Sequence, residues 1–315
     1  MRGFMKKTLM KLRRGAINVI RNIQFFKFNR YLNFMKINNN KKFKYYLSSA
    51  VVIKDEADYI SEWIEYHLLI GFDHFYIYDN ESTDNIEEVL EPYIKDGIVS
   101  FINFPGKGIQ LEMIQNVLEK SSNETFWLAI HDIDEFFSFR NDKFKKVSEF
   151  LKSFERFPAV EVNWLVYGSD NKKVKEKGLV IERFTTHTSN NYFPNRYTKV
   201  IFNPRATSYG HVHNGFYWNF RRAVTTHKMK CTLAPLEREP ELDILVIRHY
   251  FTKSLEEYLK KKNKTQVAKV RLHEMSDYDN ANNGGQIYDS DILKFVPLIK
   301  ENLSKRKIKD SYRNE

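Results

Sequence analysis

From residue 47 to about 130 the hydrophobic positions alternate between two rhythms. LSSAVVI (47–53), HFYIYD (74–79), IVSFINF (98–104) and TFWLAI (125–130) are short runs rich in β-branched and aromatic residues, and they predict four strands. Between the first two, Ile60, Trp63, Ile64, His67 and Leu68 recur at helical spacing until Gly71. Asp84 with Glu87 has the spacing of a capping box and predicts a helix to about Tyr93, and residues 109–120 predict a third helix. Strands and helices alternating at this interval imply an α/β fold, with a mostly parallel sheet covered on both faces. In such sheets ligands bind beyond the carboxyl ends of the strands.

The second half is less regular. AVEVNWLVYG (159–168), GLVIERF (178–184), RYTKVIFNP (196–204) and LDILVIRHY (242–250) read as strands. Ser254 and Glu257 have capping-box spacing and open a basic helix through about Lys264. Residues 276–293, with Asn282, Asn283, Gly284 and Gly285, read as a loop. The expected organisation is one mixed α/β domain over 45–275, preceded by a segment 1–44 and followed by a loop and tail, 276–315.

Charge separates these parts. The formal net charge is +11, yet residues 1–44 carry 13 Lys or Arg and no Asp or Glu. The stretch 45–293 holds 31 basic against 37 acidic residues, and 294–315 is basic again. A mildly acidic body argues against a nucleic-acid track, and no nucleic-acid partner is expected. Cations interleaved with Phe4, Leu9, Leu12, Ile17, Ile20 and Ile23 suit an amphipathic helix on an anionic membrane surface. A helix packed on the body, or a basic arm, fits the same spacing. No segment is apolar enough to span a bilayer. The single cysteine, Cys231, excludes an internal disulfide and a cysteine zinc cluster. The expected location is the cytoplasm, at the inner face of a membrane.

The chemistry concentrates at the strand ends. Asp55 and Glu56, Asp79, and then Asp132 and Asp134 follow three of the four early strands. In FWLAIHDIDEFF (126–137) the carboxylates stand between apolar neighbours, where they are costly unless a cation or hydrogen bonds compensate. Converging acids suit a divalent cation and the hydroxyls of a nucleotide. Simpler readings stand beside this one: a solvated acid cluster, Asp79 fixing the polar turn after it, and Asp55 or Glu56 capping a helix.

Lys54-Asp-Glu, SEWIEYHLLIGFDHFYIYDNESTDN (61–85), LEPYIKDGIV (90–99), Gln110, FWLAIHDIDEFF and RHYFTKSLEEYL (248–259) together resemble glycosyltransferase family 92 and its bacterial family-2-like relatives. The similarity covers roughly residues 47–265. It implies a GT-A fold, a Rossmann-like nucleotide-sugar domain whose D-x-D motif holds Mn2+ or Mg2+. It also implies inverting transfer from a UDP-sugar, UDP-galactose among known donors, to a saccharide or lipid-linked saccharide acceptor in capsule or lipopolysaccharide synthesis. Under this resemblance Asp134 and Asp132 take the metal or the ribose, and His249 or His213 adds a late ligand. Lys54, Asp55, Glu56, Asp79 and Gln110 line the nucleotide. Inversion needs a general base, and Glu182, Asp170 and Glu135 are the candidates. Trp164, Tyr167 and Trp218 either stack on sugar rings or pack in the core. Arg248, Lys253 and Arg196 either face a diphosphate or are paired elsewhere. The rival classes are a metal-dependent nuclease and a membrane-attached binding protein that performs no chemistry. An aspartyl phosphatase fits poorly, because its motif stands near the N-terminus.

Overall fold

Eight strands form one curled sheet in the order β3-β2-β1-β4-β8-β6-β11-β5. In chain order these are β1 (Tyr45–Ile53), β2 (His74–Asp79), β3 (Val99–Asn103), β4 (Thr125–Ile130), β5 (Glu135–Phe139), β6 (Ala159–Val166), β8 (Thr198–Phe202) and β11 (Leu245–His249). The computed structural model describes residues 43–232, 235–263 and 274–313. The N-terminal segment expected on a membrane therefore lies outside the described residues, apart from Phe43 and Lys44. No described helix is long and apolar enough to cross a membrane.

β1 pairs in parallel with both β2 and β4, and β2 with β3. Helices α1 (Ala57–Leu69), α2 (Ile86–Lys95) and α3 (Gln110–Ser121) make the connections. This is the Rossmann-like half that the resemblance implies. β8 then runs antiparallel between β4 and β6, β11 lies parallel to β6, and β5 closes the edge antiparallel to β11. Because β1 is covered on both sides, its alternate residues feed two cores. Leu47, Val51 and Ile53 pack with Trp63, Ile64 and Leu90 beneath α1 and α2. Ala50 packs with Met113, Ile114 and Val117 of α3 on the opposite face.

Three expectations need correction. GLVIERF is not a strand: Val180–Arg183 is a short helix, α5, which follows α4 (Val147–Leu151) in the chain. The Glu62 carboxylate accepts the Val180 and Ile181 N–H groups at 2.7 and 3.0 Å and holds that helix start in place. Residues 276–293 are not simply a loop. After α6 (Leu255–Asn263) come α7 (Met275–Asn283) and a short strand, β12 (Ile287–Tyr288), which pairs with β7 (Thr186–His187). The terminal helix α8 (Val296–Arg313) then packs on α1, where Arg306 pairs with Glu65. Finally, Asp84 does not cap the helix that follows it, because its carboxylate accepts the Ala57 N–H at 2.8 Å. The Ser254–Glu257 box is present: Ser254 Oγ donates to Glu257 Oε2 at 2.6 Å, and the Glu257 N–H donates back to Ser254 Oγ at 3.3 Å. A two-stranded ribbon of β9 (Thr207–Gly210) and β10 (Gly215–Tyr217) completes the fold.

Candidate active site

Strand direction decides what meets at the rim. β1, β2, β4, β6 and β11 end at the same edge where the antiparallel β8 and β5 begin. Residues 131–134 cross this rim, from β4 in the middle of the sheet to β5 at its far side. The Tyr250 N–H donates to the Asp134 carbonyl at 2.8 Å and ties the crossing to the end of β11. Lys199 at the start of β8, His249 at the end of β11 and the D-x-D acids therefore converge.

Each acid of the motif has an ammonium partner. Lys199 Nζ lies 2.6 Å from Asp132 Oδ2 and 3.5 Å from Glu135 Oε1, and the lysine is fully buried. Burial alone would lower the Lys199 pKa, but Asp132 and Glu135 outweigh it and raise the value. Gln110 Nε2 donates to the other oxygen of Asp132 at 3.4 Å. Lys261 Nζ, on α6, lies 2.5 Å from Asp134 Oδ2, and His249 Nε2 is 3.6 Å from Asp134 Oδ1. Burial pushes the Asp134 pKa up, yet Lys261 and His249 hold it well below the usual carboxylate range. Lys253 is buried in the same neighbourhood. Burial depresses its pKa, while Glu56 and Asp134 work against that shift.

Burial lowers both late imidazoles, His213 to about 4, although Asp134 works against the shift at His249. His213 Nδ1 meets the Thr198 carbonyl at 2.8 Å; the carbonyl can only accept, so Nδ1 carries the proton and Nε2 keeps a lone pair. Trp164, near the end of β6, stands between them, with ring centroids 4.4 Å from His249 and 5.3 Å from His213.

The acids after β1 and β2 are held differently. Asp55 Oδ1 accepts the Thr83 N–H and hydroxyl at 2.7 and 3.1 Å, and Asp79 Oδ2 accepts the Ser82 N–H at 3.2 Å. Lys54 Nζ donates to the carbonyls of Asn80 and Glu81 at 3.0 and 3.2 Å. These residues build the turn at 80–84, and Asp79 Oδ1 is buried with no hydrogen-bond partner among the described residues. Glu56 does not cap α1 with its side chain, though its carbonyl accepts the Tyr59 and Ile60 N–H groups.

The expected bases do not come together here. Glu182 lies on α5, and its carboxylate pairs with Lys300 of α8 at 2.7 Å. Asp170 accepts the backbone N–H groups of Thr185 and Thr186, at 2.7 and 3.2 Å, and so anchors a loop. Glu135 is at the rim but fully buried, with Oε2 accepting the Asp132 N–H at 2.9 Å. Tyr167 and Arg248 belong to a buried network with Asp289. Arg196 pairs with Glu239. Sequence reasoning missed Lys199 and Lys261. Lys199 left a signal, a lone cation inside the apolar strand TKVIF, whereas Lys261 is one of three consecutive lysines.

By residue type the donors suit a divalent cation: carboxylate oxygens of Asp134 and Asp132, and the imidazole of His249. Beside Asp134, a positive charge already stands at Lys261 Nζ. Among the described residues, no three His, Cys, Asp or Glu side chains form a group that could hold a metal ion.

The sequence profile of glycosyltransferase family 92 matches residues 44–283. A family 92 protein of Ricinus communis is 32% identical over 95 residues, which are 30% of this chain and 16% of the relative. One of Oryza sativa is 26% identical over 157 residues, 48% of this chain and 26% of the relative. The chain thus spans about a quarter or less of these curated relatives. Among solved structures, Staphylococcus aureus TarS aligns over 75% of this chain and 42% of its own, at 12% identity and a TM-score of 0.37. Glucosyl-3-phosphoglycerate synthase of Mycobacterium tuberculosis, solved with Mn2+ and UDP, aligns over 38% and 44%, at 18% identity and a TM-score of 0.26.

Proposed function

The chain belongs to glycosyltransferase family 92, and from that premise we propose that it moves a sugar from a UDP-sugar to a saccharide hydroxyl. The observation that carries this reading is the sheet edge where Asp132, Asp134 and His249 meet Lys199 and Lys261, with Lys253 close by and Asp79 at the end of β2 on the same edge. Asp79 offers its unbonded Oδ1 to a ribose hydroxyl of the donor. Asp132, fixed by Lys199 and Gln110, borders the same nucleotide. Asp134 and His249 would hold Mn2+ or Mg2+, which when bound neutralises charge on the leaving diphosphate. Lys253 and Lys261 supply further positive charge in a partly buried setting, where it acts more strongly than in water. The acceptor hydroxyl oxygen attacks the anomeric carbon from the face opposite the diphosphate, so the carbon–diphosphate bond breaks as the new bond forms, with inversion; the diphosphate leaves with the electron pair and the hydroxyl proton passes to water. The acceptor is a saccharide, free or lipid-linked, of surface polysaccharide or lipopolysaccharide. The cation-rich segment 1–44 supports delivery of the enzyme to an anionic membrane.

Thermal unfolding with a panel of nucleotide-sugars, each with and without Mn2+, tests the donor site. Ligand at about 100 times its dissociation constant adds about 2.7 kcal/mol to native stability. A Mn2+-dependent upward shift with one UDP-sugar, lost in Asp134→Ala, is the expected result. No shift with any donor would overturn the assignment.

A further inference from the structure

The sheet has a second end. β1, β4 and β6 start, and β8 finishes, at the edge opposite the candidate site. Over 152–157 and 220–230 the chain places six Lys or Arg at this edge with one carboxylate, Glu155, although 45–293 as a whole is acidic. Local structure presents these cations outward. Val224 bridges Val160 at the start of β6, and it bridges Lys230 across a tight turn. In that turn the Lys228 N–H donates to the Thr225 carbonyl and the Thr225 N–H to the Met229 carbonyl, both at 2.9 Å. The tip reads Lys228-Met229-Lys230, an apolar side chain flanked by two ammonium groups. All three are exposed, Met229 to 62%.

The two segments form one surface. Lys228 Nζ lies 4.9 Å from the centre of the Phe154 ring, and the Arg221 guanidinium donates to the Arg156 carbonyl. Among the described residues no ion pair uses Arg156, Arg222, Lys228 or Lys230. The acids at the margin are engaged elsewhere. Glu155 accepts from the Tyr46 hydroxyl at 3.0 Å and pairs with Lys152 at 3.6 Å. Glu241 accepts the Thr226 hydroxyl at 2.8 Å, and Asp243 meets His227 at the same distance. The cation-rich segment 1–44 joins the body here as well. Lys44 stands directly before β1, and Lys152 Nζ lies 3.6 Å from the centre of the Tyr46 ring within that strand. The 13 cations of 1–44 therefore enter the body beside the six of the edge.

We propose that this edge, with Lys228-Met229-Lys230 at its tip, docks on anionic lipid headgroups. Its cations complement the surface charge of such a membrane, and Met229 reaches the boundary of the acyl chains. The proposal deepens the membrane reading above and stands apart from the donor site. It also orients the enzyme. β4 runs six residues from this edge toward the D-x-D motif, about 20 Å by strand rise. The docked enzyme opens its candidate site away from the lipid, toward saccharide carried clear of its anchor.

The test is co-sedimentation of the full chain with vesicles of phosphatidylglycerol and phosphatidylcholine, against phosphatidylcholine alone. Wild type and Lys228→Gln/Lys230→Gln are compared with Lys173→Gln/Lys177→Gln, the same charge change beyond the other end of β6. Matched unfolding curves first confirm that each is folded. The tip variant should partition onto the anionic vesicles about 30-fold more weakly than wild type, and the control should follow wild type. Contact is read separately: brominated phosphatidylglycerol should quench Met229→Trp beyond the wild-type level and leave Lys177→Trp at that level. Unchanged vesicle binding by the tip variant, with no added quenching at 229, overturns the docking edge and leaves segment 1–44 as the membrane contact. Equal losses in the tip variant and the control overturn it in favour of net charge. Loss of single-stranded RNA binding in the tip variant, with vesicle binding unchanged, gives the edge to nucleic acid instead. No binding of wild type to anionic vesicles overturns the edge and the membrane reading together, and leaves the donor site untouched.

Discussion

Arg248 and His249 are neighbours on β11, and the strand pleat sends them to opposite faces. On one face buried charge is fully enclosed; on the other its counter-ion is partly open to water. Arg248 bonds the Tyr167 hydroxyl and pairs with Asp289 at 3.0 Å. Asp289 also accepts from Tyr167 at 2.9 Å, from the Asp291 N–H at 3.0 Å and from Arg140. Arg248, Tyr167 and Arg140 come from different parts of the chain, so this network pins residues 289–291 to the sheet. On the His249 face, Asp134 depends on a lysine that water can reach. The same sheet thus supports a closed ionic joint and an open ionic site one residue apart. The number of partners around the carboxylate, not its burial, separates them.

Breaking the closed joint should have the largest effect. Asp289→Ala leaves the fully buried Arg248 guanidinium without its anion and should cost about 3–5 kcal/mol in denaturant unfolding. The double variant Asp289→Ala/Arg248→Met should recover part of the loss, because the uncompensated charge goes with the arginine. A cost under about 1 kcal/mol would remove the distinction drawn here. Acid reads the same joint. Burial raises the Asp289 carboxyl, but Arg248 and the Asp291 N–H outweigh it and hold the pKa at about 2. Glu257, paired with Arg183 at 2.8 Å, also titrates at about 2. Both values are depressed, so their stabilising contribution is complete above the unfolded carboxyl range near pH 4 and fades as pH falls toward 2. Unfolding midpoints measured from pH 6 to pH 2 should drop mainly in that interval, and Asp289→Ala should flatten the drop.

Lys199→Met comes next, at about 2–3 kcal/mol. Its cost should be smaller than that of Asp289→Ala, because Asp132 is partly solvated and Glu135, already raised by burial against the pull of Lys199, can take up a proton. A loss equal to or above that of Asp289→Ala would place Lys199 among the locked charges of the structural network.

These differences were unevenly legible in the sequence. The early strands and helices could be read because their apolar rhythm is local, and TFWLAI (125–130) is a strand with the expected bounds. The acids at the strand ends were legible for the same reason, since topology alone sends them to one rim. The misread segments depend on distant partners. GLVIERF has a strand's composition, but its backbone donors are taken by Glu62 from another helix. The Asn-rich stretch before β12 reads as a loop, yet Asn282 accepts the Ser169 N–H at 2.7 Å and holds α7 against the end of β6. The counter-ions divide along the same line. Lys199 interrupts an apolar strand, so its burial demands an anion and could have been inferred. Lys261 sits in a run of lysines on a helix, and only the packing of α6 shows which of them meets Asp134.

Lys261→Met should have the smallest effect on stability, about 1 kcal/mol. Asp134 keeps His249 at 3.6 Å and the influence of the buried Lys253, so the carboxylate is not abandoned. The lost pair was partly exposed, and solvent screens part of what it contributed. Salt therefore distinguishes the two faces. Raising ionic strength from 0.05 to about 1 M shortens the screening length to roughly 3 Å and should shrink the difference between wild type and Lys261→Met. It should leave the loss in Asp289→Ala nearly unchanged, because Arg248 touches Asp289 directly and is fully buried. Equal salt sensitivity in the two variants would mean that the charges on both faces of β11 are held in the same way, and that Lys261 is as fixed as Arg248.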